Sequence, residues 1–319
     1  MRGTSGDALR ELSRVRSIVL TTHINPDGDA LGSMIALYLF LKQRGVRVQM
    51  WLDDEIPRMY SFLPEIDKII HPPTSSMQGD IIVVLDAGDA GRTGSAYASF
   101  RGRSLNIDHH LSNSDFADVT VIDEAVAATG VLILRMLEES GDVITKDMAT
   151  CLYTAIVTDC GFFRYANTDA QTLHAAARLV SYGAEPHTIS EQIQTMPLSK
   201  ITALSRVLDT LEVSDCGKVA TIVVPPGVSS ADVEDTEGFI DYPRNIAGVE
   251  VAIMFKPSLE KETVKLSFRS RRLNVSELAQ SMGGGGHARA AGCTLKGTVQ
   301  DVKPRVLMRV LDALREAGL

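Results

Sequence analysis

Arg103-Ser-Leu-Asn-Ile-Asp-His-His110 decides how this chain is read. The short stretch Arg103–Ile107 ends in the triplet Asp108-His109-His110, and three other segments end in the same chemistry. Thr22-His-Ile-Asn-Pro-Asp-Gly-Asp29 carries His23, Asp27 and Asp29. Asp86 closes Ile81-Ile-Val-Val-Leu85, and Asp159 follows the apolar run Leu152–Val157. Four segments thus deliver carboxylates or imidazoles at element ends, where side chains from distant parts of a chain converge. A dinuclear metal site is the simplest chemistry that uses this set.

Working outward, the first half reads as α/β. Ser17–Thr22 is a short β-branched run, Asn25-Pro-Asp-Gly28 a turn, and a helix pattern runs from about Ala30 to Gln43 and stops at Gly45. Val46–Trp51 and Ile81–Leu85 read as strands. Helical patterns follow over 127–139, 146–157 and 172–182. Strands alternating with helices imply a mainly parallel sheet, and in such sheets ligands sit beyond the carboxyl ends of the strands. His23, Asp86 and Asp108 fall at such ends. Residues 191–211 read as a connecting helix or helix pair broken at Pro197. Beyond it the texture changes, with strands expected over 219–224, 249–255 and 263–269 and helices over 275–281 and 302–316. The reading is two α/β domains: a catalytic domain at 1–187, a helical linker at 188–213 and a smaller domain at 214–319.

The 319 residues are enough for two cores. No apolar run reaches the ~18 residues of a membrane span. The N-terminus lacks a cationic segment followed by an apolar core, and four cysteines without Cys-x-x-Cys spacing suggest neither a disulfide framework nor a zinc knuckle. A reducing cytoplasm is the expected location. The net charge of −8 is opposite to that of proteins that coat long nucleic acid, but it allows a short anionic substrate met by metal ions and a few arginines.

Asp27 and Asp29 flank Gly28, so an extended turn would send their side chains to two metal positions. His23, four residues earlier, can share the first. Asp86, from another strand, is the natural bridge. A mixed oxygen and imidazole set suits Mn²⁺ better than Mg²⁺, and the four carboxylates Asp27, Asp29, Asp86 and Asp159 balance two divalent ions. Two ions ~3.5–4 Å apart can hold a bridging hydroxide and clamp a phosphoryl group for in-line attack.

These motifs, in this order, resemble the DHH phosphoesterases, named for the triplet at 108–110. The resemblance implies that His23, Asp27 and Asp86 hold one Mn²⁺ and that Asp29, Asp86, His109 and Asp159 hold the other, with Mg²⁺ or Co²⁺ as substitutes. His110 then contacts the phosphate, and Asp108 orients an imidazole; these two are the catalytic pair. Thr158-Asp-Cys-Gly161 departs from the family only at Cys160, where Thr is common.

Gly283-Gly-Gly-Gly-His-Ala-Arg-Ala-Ala-Gly292 is the second signal. No Gly-Lys-Ser/Thr follows, so it is no P-loop, and its context does not suit a Rossmann turn. Bare backbone can approach a phosphate or base closely, although a hinge would read the same way. Upstream, Lys265–Arg272 places Arg269 and Arg271 on one strand face opposite Phe268. Together these segments resemble the substrate-binding domain that accompanies DHH domains. On that resemblance Gly284, Gly285, Gly286, His287, Arg269 and Arg271 contact substrate, and the active site lies in a cleft between the domains. Arg92, in the loop after Asp86 at the active face, is a lesser candidate for holding phosphate. Arg164 in Phe163-Arg-Tyr165 stays open between phosphate contact and a structural ion pair.

Within the family the chain is most similar to the nano-RNases. These degrade very short RNA to mononucleotides and dephosphorylate 3′-phosphoadenosine 5′-phosphate. A cyclic dinucleotide phosphodiesterase is the alternative. The implied partners are short RNAs and small nucleotides, with no membrane, and the family allows a homodimer.

Overall fold

Short β-branched runs alternating with apolar-faced helices build the first of two units, Met1–Thr195; the second is Met196–Leu319. The computed structural model describes residues 2–75, 77–226, 228, 236, 238–258 and 262–319, the side chain of His287 excepted.

The first unit runs α1 (Ser5–Ser13), β1 (Ser17–Thr21), α2 (Gly28–Gln43), β2 (Arg47–Trp51), β3 (Ile69–Ile70), β4 (Met77–Leu85), α3 (Ala96–Ser99), β5 (Phe100–Asp108), β6 (Val119–Ile122), α4 (Thr129–Ser140), α5 (Lys146–Asp159), α6 (Ala170–Ser181) and α7 (Pro186–Gln194). The strands form one sheet in the order β3-β2-β1-β4-β5-β6, and every pairing is parallel. Successive connections run one way from β1 and the other way from β4. The gap between these neighbours is therefore the switch point, where ligands bind in sheets of this kind. His23 follows β1 and Asp86 follows β4.

Strand residues alternate between the two faces. Ile18, Leu20, Ile81, Val83 and Leu85 join the large core with α2, α4, α5 and α6. Val19 and Ile82 join Trp51, Ala96 and Phe100 in a smaller cluster on the other side. Three helices of the large layer approach one another unusually closely because small residues line their contacts. A Cβ on Gly32 would lie 2.3 Å from the Cys151 carbonyl oxygen, and one on Gly130 would lie 2.7 Å from Ala155 Cβ. This close approach brings the first turns of α2 and α4 to the last turn of α5.

The second unit contains α8 (Leu198–Leu208), β7 (Glu212–Val213), β8 (Val219–Val223), α9 (Asp241–Arg244), β9 (Val251–Ser258), β10 (Thr263–Ser270), α10 (Val275–Gln280), β11 (Gly285–His287), β12 (Ala290–Lys296) and α11 (Val299–Glu316). Its sheet has the order β11-β12-β10-β9-β8-β7 and is mixed: β8 and β9 run parallel, the other pairs antiparallel. Val302, Val306, Val310 and Leu314, one per turn of α11, pack on Phe255, Leu266 and Phe268. Ala203, Leu204 and Val207 of α8 cover Ile222, Ala252 and Met254 on the other face. Residues 188–213, expected as a linker, are thus shared: α7 lies in the first unit and α8 in the second.

Among the described residues no helix is long and apolar enough to cross a membrane.

Candidate metal centre

Each site residue is held by the element that delivers it. His23 is buried just past β1. Its Nδ1 lies 2.9 Å from the Ile24 carbonyl oxygen, so Nδ1–H donates there and Nε2 is the atom turned toward the carboxylates. That Nε2 faces Asp86 Oδ2 at 3.5 Å and Asp27 Oδ2 at 3.8 Å. Asp27 is the N-cap of α2, and its Oδ1 accepts the amides of Asp29 and Ala30 at 3.1 and 3.0 Å. The helix begins at Gly28, earlier than the expected Ala30. Asp27 and Asp29 therefore diverge as cap and first-turn residues, not across an extended turn.

Asp86 leaves β4 with a φ of 55°, a left-handed conformation that Asp tolerates better than most residues. Its amide donates to the Ile107 carbonyl at 3.0 Å, and its Oδ1 accepts Thr129 Oγ1 at 3.1 Å. His109, just past β5, puts Nδ1 3.3 Å from the Val126 carbonyl. Its Nε2 stands 3.6 Å from Asp86, 3.7 Å from Asp159 and 3.9 Å from Asp29. Asp159 is the last residue of α5.

His110 points its Nδ1 at Asp108 Oδ1, 2.7 Å away. Asp108 is fully buried, and its other oxygen accepts Asn113 Nδ2 at 2.6 Å. Asn113 also donates to Asn106 Oδ1 at 2.7 Å, and Asn106 donates to the carbonyls of Val84 and Ala87. A chain of amides thus ties His110 to the ends of β4 and β5.

The donor groups fall into sets whose ligand atoms lie within 4.8 Å of one another: His23, Asp27 and Asp86; Asp29, His109 and Asp159; and Asp86, His109 and His110. The imidazole-to-carboxylate separations of 3.5–3.9 Å are too long for hydrogen bonds and leave room for a cation between the partners. Electrostatics agree. Burial, and then the charges of Asp86, Asp159 and Asp27, push the Asp29 carboxyl well above its usual range. Burial and the charges of Asp86 and Asp27 do the same to Asp159. Burial works against a charged His23, but Asp27 and Asp86 outweigh it and raise its pKa to about 10. The cluster has more negative charge than its own groups balance, and the donor set fits divalent ions.

Arg92 belongs to a 3₁₀ turn whose carbonyl accepts the Ile24 amide at 2.7 Å, and its charge opposes protonation of His110. Arg164 Nε donates to the Gly161 carbonyl at 2.8 Å, shaping the turn after Asp159.

In the second unit Arg269 lies on the outward face of β10, opposite the buried Phe268. Arg271 corrects the expectation that it shares that strand face. β10 stops at Ser270, because the chain turns there onto Glu250, and the Arg271 guanidinium instead donates to the carbonyls of Arg244 and Ile246 at 3.4 Å. A Cβ on Gly284 would lie 2.1 Å from the Gly292 carbonyl oxygen, and Gly286 has a φ of 141°. Gly285, between them, faces open space. His287 is on β11, but its side chain lies outside the described residues.

Sequence reasoning missed Thr129, Ser33 and Asn113. Thr129 looks like one more helix-start residue. Asn113 follows the triplet by three positions, a spacing that suggests a loop turn.

Residues 17–156 match the model of the DHH family, N-terminal domain, and residues 217–317 that of the DHHA1 domain. A Thermus thermophilus protein named bifunctional oligoribonuclease and PAP phosphatase NrnA is 34% identical over 94% of this chain and 89% of the relative. A probable manganese-dependent inorganic pyrophosphatase of Bacillus cereus is 26% identical over 54% of this chain and 59% of its own length. The crystal structure of an exopolyphosphatase-related protein from Bacteroides fragilis matches with a TM-score of 0.88 at 26% identity, over 98% of this chain and 95% of that one.

Proposed function

The chain belongs to the DHH family and is a hydrolase, and on that premise we propose that it cleaves short oligoribonucleotides to nucleoside monophosphates and 3′-phosphoadenosine 5′-phosphate to AMP. One observation carries the proposal. Asp86 stands between two sets of donors, His23 with Asp27 and Asp29 with His109 and Asp159, and faces both. We assign the first set with Asp86 to one Mn²⁺ and the second with Asp86 to another. Two such ions supply Lewis acidity and lower the pKa of bound water.

The chain's own residues do the rest. His110 has its Nδ1 engaged by Asp108, so its Nε2 is the atom that meets a phosphate oxygen or leaving group. Burial disfavours its imidazolium, yet the Asp108 hydrogen bond and the charges of Asp86 and Asp108 hold its pKa above the ordinary value. An imidazolium held in this way by Asp108 can give up its proton at a departing oxygen. Arg92, Arg269, Arg271, His287 and the backbone at Gly284, Gly285 and Gly286 are the proposed substrate contacts. The net charge of −8 favours short substrates over long polyanions. A cytoplasmic location, which rests on the cysteine pattern, and a homodimer, which rests on the family alone, belong to the same proposal.

Product analysis with Mn²⁺ tests this reading. Substrates are an RNA dimer-to-pentamer series, 3′-phosphoadenosine 5′-phosphate and cyclic di-AMP. Turnover of the short RNAs to mononucleotides, abolished in Asp86→Ala and met by a raised KM in Arg269→Ala, is the expected outcome. A preference for the cyclic dinucleotide would replace the substrate assignment.

A further inference from the structure

We propose that Thr129 is a positioning residue of the metal centre, setting both Asp29 and Asp86 in the orientation that presents one oxygen of each to a particular cation. The proposal rests on the reading of these carboxylates as divalent-metal ligands.

Helix α4 is twelve residues long, and its N-cap, Ala128, has no side chain that can accept its first amides. The acceptor comes from another helix. The Thr129 amide donates to Asp29 Oδ2 at 2.6 Å, and the Gly130 amide donates to Asp29 Oδ1 at 2.9 Å. This two-point grip fixes the plane of the carboxylate. Ser33 Oγ donates to the same Oδ1 at 2.9 Å. Oδ1 thus receives two donors and has no lone pair to spare, whereas Oδ2 receives one and keeps the other toward His109 Nε2, 3.9 Å away.

The side chain of Thr129 does the same for the bridge. Its hydroxyl donates to Asp86 Oδ1 at 3.1 Å, leaving Oδ2 of Asp86 facing His23 and one lone pair of Oδ1 facing His109. Thr129 is fully buried, so no water can replace its hydroxyl at that oxygen. Its neighbour keeps the grip close, because any side chain at position 130 would collide with Ala155. One residue therefore orders two ligands contributed by α2 and by the end of β4, by its amide in the first case and its hydroxyl in the second.

Calorimetric titration of the metal-free protein with Mn²⁺ tests this, using wild type, Thr129→Val and Thr129→Ser. Groups that orient metal ligands typically contribute 10–100-fold to affinity. T129V, isosteric but without the hydroxyl, should therefore lose ~10–100-fold for at least one ion, and T129S should recover most of it. Melting temperatures in chelator should stay close to wild type. If T129V melts early in chelator yet binds Mn²⁺ as wild type does, Thr129 is only a packing residue and the inference is overturned. Should T129V not fold, Thr129→Ala carries the same comparison. A wild type that binds no divalent ion would overturn the metal-site reading itself, and a wild type that binds two with T129V unchanged would overturn only the inference.

Discussion

Asp86 shows how one residue is prepared for its place. Its left-handed φ of 55° turns the carboxylate out of the strand line between β1 and β5, where it faces His23 on one side and His109 on the other. Such backbone conformations persist where surrounding contacts over-determine them, and here the Ile107 carbonyl and Thr129 hydroxyl do so. His110 is prepared differently, through Asp108, Asn113 and Asn106 in sequence. Asn113→Ala removes the donor from one oxygen of a buried carboxylate and loosens the imidazole. One hydrogen bond to a charged group, ~1.5 kcal/mol, corresponds to a roughly 10-fold lower kcat. Mn²⁺ affinity should not move, because Asn113 touches no proposed ligand. A kcat equal to that of wild type, or a matching loss of Mn²⁺ binding, would remove Asn113 from this chain of contacts. The proposed ligands were named from the residue pattern, since few other roles call for Asp and His at four element ends, and the structure brings their side chains together. Thr129 and Asn113 were not, because a buried hydroxyl or amide looks the same in a sequence whether it holds a ligand or ends a turn.

At the scale of elements, the site depends on how closely three helices pack. Gly28 faces Thr158, Gly32 faces the Cys151 carbonyl and Gly130 faces Ala155, so α2, α4 and α5 meet with almost no side chain between them. Gly32→Ala puts a methyl group 2.3 Å from a backbone oxygen that cannot swing aside. Overpacking of this kind costs ~1–3 kcal/mol, and the melting temperature should fall accordingly. The same substitution should weaken Mn²⁺ binding, because Asp27 and Asp29 lie at the start of α2 and Asp159 at the end of α5. An unchanged melting temperature would mean that the helices separate without cost. Most long elements followed from periodicity. The missed ones include short edge strands, such as β6 with four residues and β3 with two, and also β12, seven residues inside the second sheet, whose first residues belong to the glycine-rich stretch. α1 escaped although its Thr4–Asp7 capping box is a recognisable helix start.

For the whole molecule, the cluster of like charges makes metal a stabilising ligand of one unit in particular. Every proposed ligand lies within Met1–Thr195 and none within Met196–Leu319. Mn²⁺ at 100-fold its dissociation constant should stabilise the first unit by ~2.7 kcal/mol. Proteolysis or calorimetry should then show that unit's transition rising with Mn²⁺ and falling with chelator, while the transition of the second stays in place. If both shift together, metal stability is not confined to the unit that holds the donors.

Local sequence determined the chemical groups and the element that carries each. Ligand type and strand-end position are written in short stretches, and periodicity of 2 or 3.6 residues needs no distant partner. Only the tertiary structure decided which oxygen of each carboxylate is occupied and which is left facing the site. The contacts responsible join residues far apart in the chain: Thr129 to Asp29 across 100 positions, Thr129 to Asp86 across 43 and Asn106 to the Val84 carbonyl across 22. The same holds for Arg271, which adjacency placed on a strand and the fold turned onto the carbonyls of a different loop. Pairings of that length depend on how close the helices and strand ends come, and that closeness was set by glycines whose facing neighbours no local pattern names.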